Sequence, residues 1–190
     1  MDIFLNQWES EEFIIFDGVA LELLNLNSQQ FNFLTEIGLP KESAPFLSFR
    51  NDLNSINTIY ELQNSNYNSK IMIGSDGAGD PICLEITNKH IYACDHEDDF
   101  EPYFMNTGVI ELFKFLSLFR EFGGQLIEKR GEYAFIDSDF TDDELFELTT
   151  KMKLIDPSAL ERSTFWSYEI DTIKANREYY KNENKGDNIR

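Results

Sequence analysis

Residues 70–97 read KIMIGSDGAGDPICLEITNKHIYACDHE, from Lys70 to Glu97, and this stretch decides the fold. Residues 70–74 are a strand that ends in Ser75-Asp76-Gly77-Ala78-Gly79-Asp80. Residues 82–87 are a second strand, Asn88-Lys89 a two-residue turn, and residues 90–95 a third. The pattern predicts an antiparallel β core with a corner rich in glycine and aspartate.

The corner invites two chemical readings, and spacing weighs against both. A phosphate loop needs a longer glycine spacing followed by Lys and Ser or Thr, which is absent. Asp76 and Asp80 do not fall at the alternating offsets of an EF-hand calcium loop. The expectation is a tight turn in which glycine takes positive φ and aspartate bonds local amides. Its carboxylates are then exposed and available to a partner. On the third strand, His90, Tyr92, Cys94 and His96 alternate onto one face. Residues that alternate along one strand splay apart, and no CxxC or HxxxH spacing pre-forms a zinc site. Tyr92 and Cys94 are expected in or against the core, with the histidines at the strand ends.

Moving outward, residues 1–12 read as a short helix and residues 13–16 as a strand ended by Asp17-Gly18. Asn27 and Gln30 form a capping pair for a helix with Phe31, Leu34 and Ile37 on one face, closed by Gly38 and Pro40. Residues 46–49 and 56–62 read as strands, and residues 63–69 as a polar loop. Beyond the core, residues 95–102 are an acidic loop. A helix over residues 109–122 places Leu112, Phe115, Leu116, Phe119 and Phe122 on one broad face that should lie across the sheet. Gly123-Gly124 is expected to stop it. Residues 133–136 are a candidate strand. Thr141-Asp142-Asp143-Glu144 has the form of a capping box for a helix lined by Leu145, Leu148, Met152 and Ile155. Asp156-Pro157 reads as an N-cap with proline at the first helical position. A last helix covers residues 164–181, and residues 182–190 are a fraying polar tail.

Composition narrows the classes. The chain has 190 residues, 42% hydrophobic and 14% aromatic, enough for a packed core in one domain. No apolar run has the length of a membrane span. The start, Met1-Asp2-Ile3-Phe4, lacks the basic and small-residue features of a signal peptide. With that start, two cysteines point to reduced thiols in a cytoplasm. The net charge of -19, from 35 acids against 16 bases, repels nucleic acid and anionic membranes and attracts basic partners. An acidic face that mimics nucleic acid stays open. The acids cluster at residues 95–101 and 137–147, neither of which holds a Lys or Arg. No GxSxG elbow or paired Cys–His context supports nucleophilic catalysis.

Several pieces in order resemble the SUKH superfamily of immunity proteins, the group related to yeast cell-wall regulators. They are FNFLTEIGLP (Phe31 to Pro40), IGSDGAGDPICL (Ile73 to Leu84), IYACDHE (Ile91 to Glu97), and Asn106-Thr107 leading into LFKFL (Leu112 to Leu116). The wording looks most like the subgroup found in bacterial immunity loci. The match spans residues 27–122, and a helical extension over 141–181 is compatible with it. The resemblance implies an α+β fold in one domain over residues 1–181, with a mostly antiparallel sheet flanked by helices. It implies a non-enzymatic cytoplasmic protein, without metal or cofactor, that binds and neutralises a polymorphic toxin. Toxins of such systems include nucleases and deaminases, and acidity suits a basic one. Two alternatives remain: a regulatory or scaffold protein of the same fold, and a carboxylate-dependent hydrolase. From exposure and charge, the partner-binding residues are expected to be Asp76, Asp80, His96, Glu97, Asp98, Asp99 and Glu101.

Overall fold

The computed structural model describes residues 1–8 and 11–186. Among them, six strands form one antiparallel meander, β3 (Glu42–Ser43), β4 (Leu47–Ser55), β5 (Lys70–Ser75), β6 (Pro81–Glu85), β7 (Ile91–Asp95) and β8 (Glu101–Asn106), in that spatial order. Two further strands, β1 (Phe13–Ile14) and β2 (Leu39–Pro40), pair separately. The protein is α+β, as the opening stretch predicts.

Period-two alternation sorts the central strands onto two faces. Ile73, Ile82, Leu84, Ile91 and Ala93 point into the main core. Met72, Cys83 and Cys94 point the other way and form a smaller cluster with Ile56, against which Tyr67, Tyr92 and Phe100 pack. Strand β6 is buried along its whole length, because both faces are covered. Cys83 and Cys94 are buried free thiols there, and Tyr92 packs against them, as expected.

The helices begin with α1 (Asp2–Leu5), α2 (Gly18–Glu22) and α3 (Ser28–Asn32). The Asn27 side chain caps α3 by accepting the Gln30 N–H at 2.9 Å. The chain then winds through a wider turn over Phe33–Ile37 and leaves at Gly38, φ +82°. The long helix α5 (Val109–Arg130) buries Leu112, Phe115, Leu116, Phe119 and Phe122 in the main core. The capping box at Thr141 is present in full and starts α6 (Asp142–Ile155), which buries Leu145, Leu148 and Met152. In α7 (Phe165–Gly186), Thr164 and Ser167 cap each other reciprocally at the first turn.

Several expectations need correction. Residues 56–62 are not a strand: α4 (Ile56–Ile59) forms because Ser55 accepts the Thr58 N–H at 3.2 Å, a local cap that outweighs the alternation. Gly123-Gly124 does not stop α5, which runs to Gly131, φ +101°. Residues 133–136 turn instead of extending, and the Phe135 ring lies over the bare backbone of Gly123. Asp156 precedes a 3₁₀ turn, Pro157–Leu160, without capping it. The hairpin between β6 and β7 uses residues 86–90 and not two residues. The residues 95–102 loop is shorter than expected, because β8 begins at Glu101. The helix of residues 1–12 reduces to α1 and a 3₁₀ turn at Asn6–Trp8, with residues 9–10 outside the described residues. The expected tail is helical through Gly186, and residues 187–190 lie outside the described residues.

Candidate functional site

The two acidic ends of the central strands meet. Strand β5 ends in the corner between Ser75 and Pro81, and β7 ends in the turn leading to β8. In the corner, Asp76 Oδ1 accepts the N–H groups of Ala78 and Asp80, both at 2.9 Å. Gly79 takes φ +96° to complete the turn. Burial holds the Asp76 carboxyl above its ordinary range, although these amides pull the other way.

Asp80 is buried and spans the two ends. Its Oδ1 accepts the His96 backbone N–H at 3.0 Å and lies 2.6 Å from His96 Nδ1. Its Oδ2 accepts the Tyr103 hydroxyl at 3.4 Å. The bond to Asp80 raises the pKa of His96. Burial pushes the Tyr103 phenol upward, with the Asp80 charge adding to it. The expectation of an exposed Asp80 therefore fails: its carboxylate organises the site from inside.

Asp95 plays the equivalent part in the next turn. Its Oδ1 accepts the N–H groups of Glu97 at 2.9 Å and Asp98 at 3.2 Å. Asp99 and Phe100 both take positive φ, and Phe100 folds back onto Tyr60 and Tyr67. This leaves His96, Glu97, Asp98, Asp99 and Glu101 exposed together on one turn. Asp80, Asp95 and His96 each bring a possible ligand atom within 4.8 Å of the others. The bonds to His96 and Tyr103 engage both Asp80 oxygens.

Three participants lie outside the expected set. Tyr103 lies on β8, a strand that Pro102 disguises in the sequence. Asp95 looks there like one more acid of the loop. Glu169 lies on α7, whose Phe165 stacks on Tyr103 and whose Tyr168 meets it edge-on. Burial and the Asp76 charge push the Glu169 carboxyl up to about 7. Residues 165, 168 and 169 share a helical face, a spacing visible in the sequence; only the tertiary contact shows what that face meets. The arrangement has an acidic, hydrogen-bonded interior and an outer rim of carboxylates. Such a rim suits electrostatic recognition of a cationic surface.

No helix among the described residues is long and apolar enough to cross a membrane. Comparisons with curated proteins and with solved structures find no match for the chain. The sequence model of the family described as SUKH-4 immunity protein matches residues 5–171, which takes in the sheet, the acidic turns and most of the helical extension. The chain belongs to the SUKH-4 immunity protein family.

Proposed function

We propose that this chain binds and neutralises a cognate toxin, without enzymatic activity, by laying an acidic face over a basic one. The observation that carries the reading is the family match over residues 5–171. The exposed carboxylates of Glu97, Asp98, Asp99 and Glu101 support the electrostatic part, together with the net charge of -19. His96 sits on the same rim, while Asp76 and Asp80 shape it from behind. A nuclease or deaminase acting on nucleic acid would offer the complementary cationic cleft. Occlusion of that cleft requires tight binding, and opposed charge speeds the encounter.

The test is binding of the purified chain to the toxin domain encoded in the adjacent reading frame, followed at several salt concentrations. The association rate should fall steeply between roughly 50 and 500 mM salt. Changing Glu97, Asp98 and Asp99 together to their amides should lower that rate and flatten its salt dependence. If no neighbouring toxin binds, the reading is abandoned.

A carboxylate-dependent hydrolase has one observation in its favour, Glu169 at about 7 beside the Asp76 charge. Turnover of a substrate that is lost in Glu169→Gln or Asp76→Asn would support it, and a chain without turnover removes it.

A further inference from the structure

Next to the acidic corner the chain holds an aromatic ring out into solvent. Phe46, just before β4, is 82% exposed. Its φ is +60°, a left-handed conformation that a bulky side chain adopts only under strain. The residue touches the corner itself: a Cβ on Gly77 would stand 3.0 Å from Phe46 Cβ. On its other side, Phe46 lines a cavity of about 540 Å³ with Ala44, Pro45 and Phe135. That cavity shares Ala44, Arg120 and Phe135 with a second one of about 600 Å³, which continues to Gly123, Gly124 and Ile127. The two form one trough.

Its floor is apolar because α5 carries two glycines where it passes beneath. The Phe135 ring comes within 3.1 Å of the place where a Gly123 Cβ would stand, and nothing lies within 4 Å of one at Gly124. The charged walls are Glu11, Glu42, Glu121 and Arg120; Arg120 is bound to Glu11 at 2.7 Å, and Lys151 reaches Glu121 at 3.4 Å. The trough is thus apolar along its floor, with two ion pairs and the carboxylate of Glu42 at its sides.

We propose that this trough docks an apolar segment of the toxin flanked by Lys or Arg, with Phe46 as the anchoring ring. The inference rests on the immunity reading above and gives it a second contact surface. Charge selects the occupant. The wall charges leave a small acidic excess, and with the chain's net charge of -19 they attract a basic rim and repel a second copy of this chain. The backbone of Phe46 selects the role. A strained residue that presents most of its ring to water contributes little to the free chain's stability, whereas an aromatic ring seated in a partner's pocket can carry a large share of interface energy.

The test uses the full chain and the purified toxin domain encoded beside its gene, titrated by calorimetry. Phe46→Gly and Ile127→Asp should each weaken binding by roughly tenfold or more. Leu154→Asp, at an exposed leucine of α6, should leave it unchanged. Phe46→Gly also relieves the left-handed backbone, so its urea midpoint should hold or rise while affinity falls. A merely structural role for Phe46 would not give that split. Wild-type binding that both variants retain overturns the trough and leaves the immunity reading standing. Absence of wild-type binding overturns both. A dimer by light scattering that Phe46→Gly converts to monomer assigns the trough to a second copy and overturns the proposal.

Discussion

His96 and Asp80 are joined twice, once through the His96 backbone N–H at 3.0 Å and once through the imidazole Nδ1 at 2.6 Å, both to the same carboxylate oxygen. This double link fastens the β7–β8 turn to the β5–β6 corner, so the exposed acids inherit their placement from a buried one. With a charged imidazole the contact is an ion pair. With a neutral imidazole it remains a hydrogen bond through the Nδ1–H tautomer. Asp80 raises the His96 pKa above 6.5. A raised folded-state value means that the added stability is complete below the ordinary imidazole value and fades as pH rises through the raised one. His96→Gln should therefore shift the urea midpoint more at about pH 5.5 than at about pH 9. An equal shift at both would show that the charge contributes nothing.

Glu169 shares the sign of that linkage, but here the fold disfavours the charged form. Its carboxyl is raised from 4.5 to about 7 by burial and by Asp76. The folded state then holds the proton more tightly than the unfolded chain does. Stability is lost as pH rises from the unfolded value to the folded one, and the loss is complete above it. Glu169→Gln removes that loss while keeping the shape. It should stabilise the protein by about 1–2 kcal/mol at about pH 8 and change little at about pH 4. Denaturant melts at the two values decide it.

Asp80 and Glu169 also mark what a sequence can reveal. The β5–β7 core is legible because apolar alternation and turn residues are local signals. The inward faces of α5 and α6 are legible for the same reason: Phe115, Phe119, Leu148 and Met152 repeat at helical spacing and are buried. Residues 56–62 mislead because alternation is equally compatible with the short helix that the Ser55 cap nucleates. Strand β8 is hidden because Pro102 and flanking polar residues suit an edge strand, where a missing N–H is tolerated. The expected rim is found on one turn, but Asp80 lies behind it. Its burial depends on Tyr103 and His96, which are 23 and 16 residues away along the chain. Glu169 depends likewise on a helix that packs back onto β8, which no local pattern announces.

Two glycines separate close approach from free space. A Cβ on Gly74 would lie 2.3 Å from the Ser48 carbonyl oxygen across the β4–β5 pair. Backbone cannot move aside there without parting the strands, so Gly74→Ala should cost about 3 kcal/mol or more. Gly124 is helical, and a Cβ placed on it would meet nothing within 4 Å. Alanine there reduces the freedom of the unfolded chain and should stabilise by up to about 1 kcal/mol. Thermal melts of the two single variants should move in opposite directions. A destabilised Gly124→Ala would mean that α5 needs flexibility at this point.

Asp156 closes the main sheet against the helical extension. The residue is 2% exposed, and its Oδ2 accepts the Thr107 N–H at 2.7 Å, the Thr107 hydroxyl at 3.1 Å and the Asn106 amide at 3.3 Å. Asn106, fully buried, in turn accepts the indole N–H of Trp166 at 2.9 Å. One carboxylate thus ties the end of β8 to the start of the turn after α6, and through Asn106 to α7. Asp156→Ala strands the buried Asn106 amide and removes two partly buried bonds from Thr107, and an unpaired donor is expensive in a dry interior. The expected cost is about 2–4 kcal/mol in urea unfolding. Trp166→Phe removes one bond, at Asn106 Oδ1, and part of a ring packed on Phe115 and Phe119. If the two changes act through one network, the double variant should lose less than the sum of the singles. Strict additivity would mean that α7 docks independently of the Asp156 bonds.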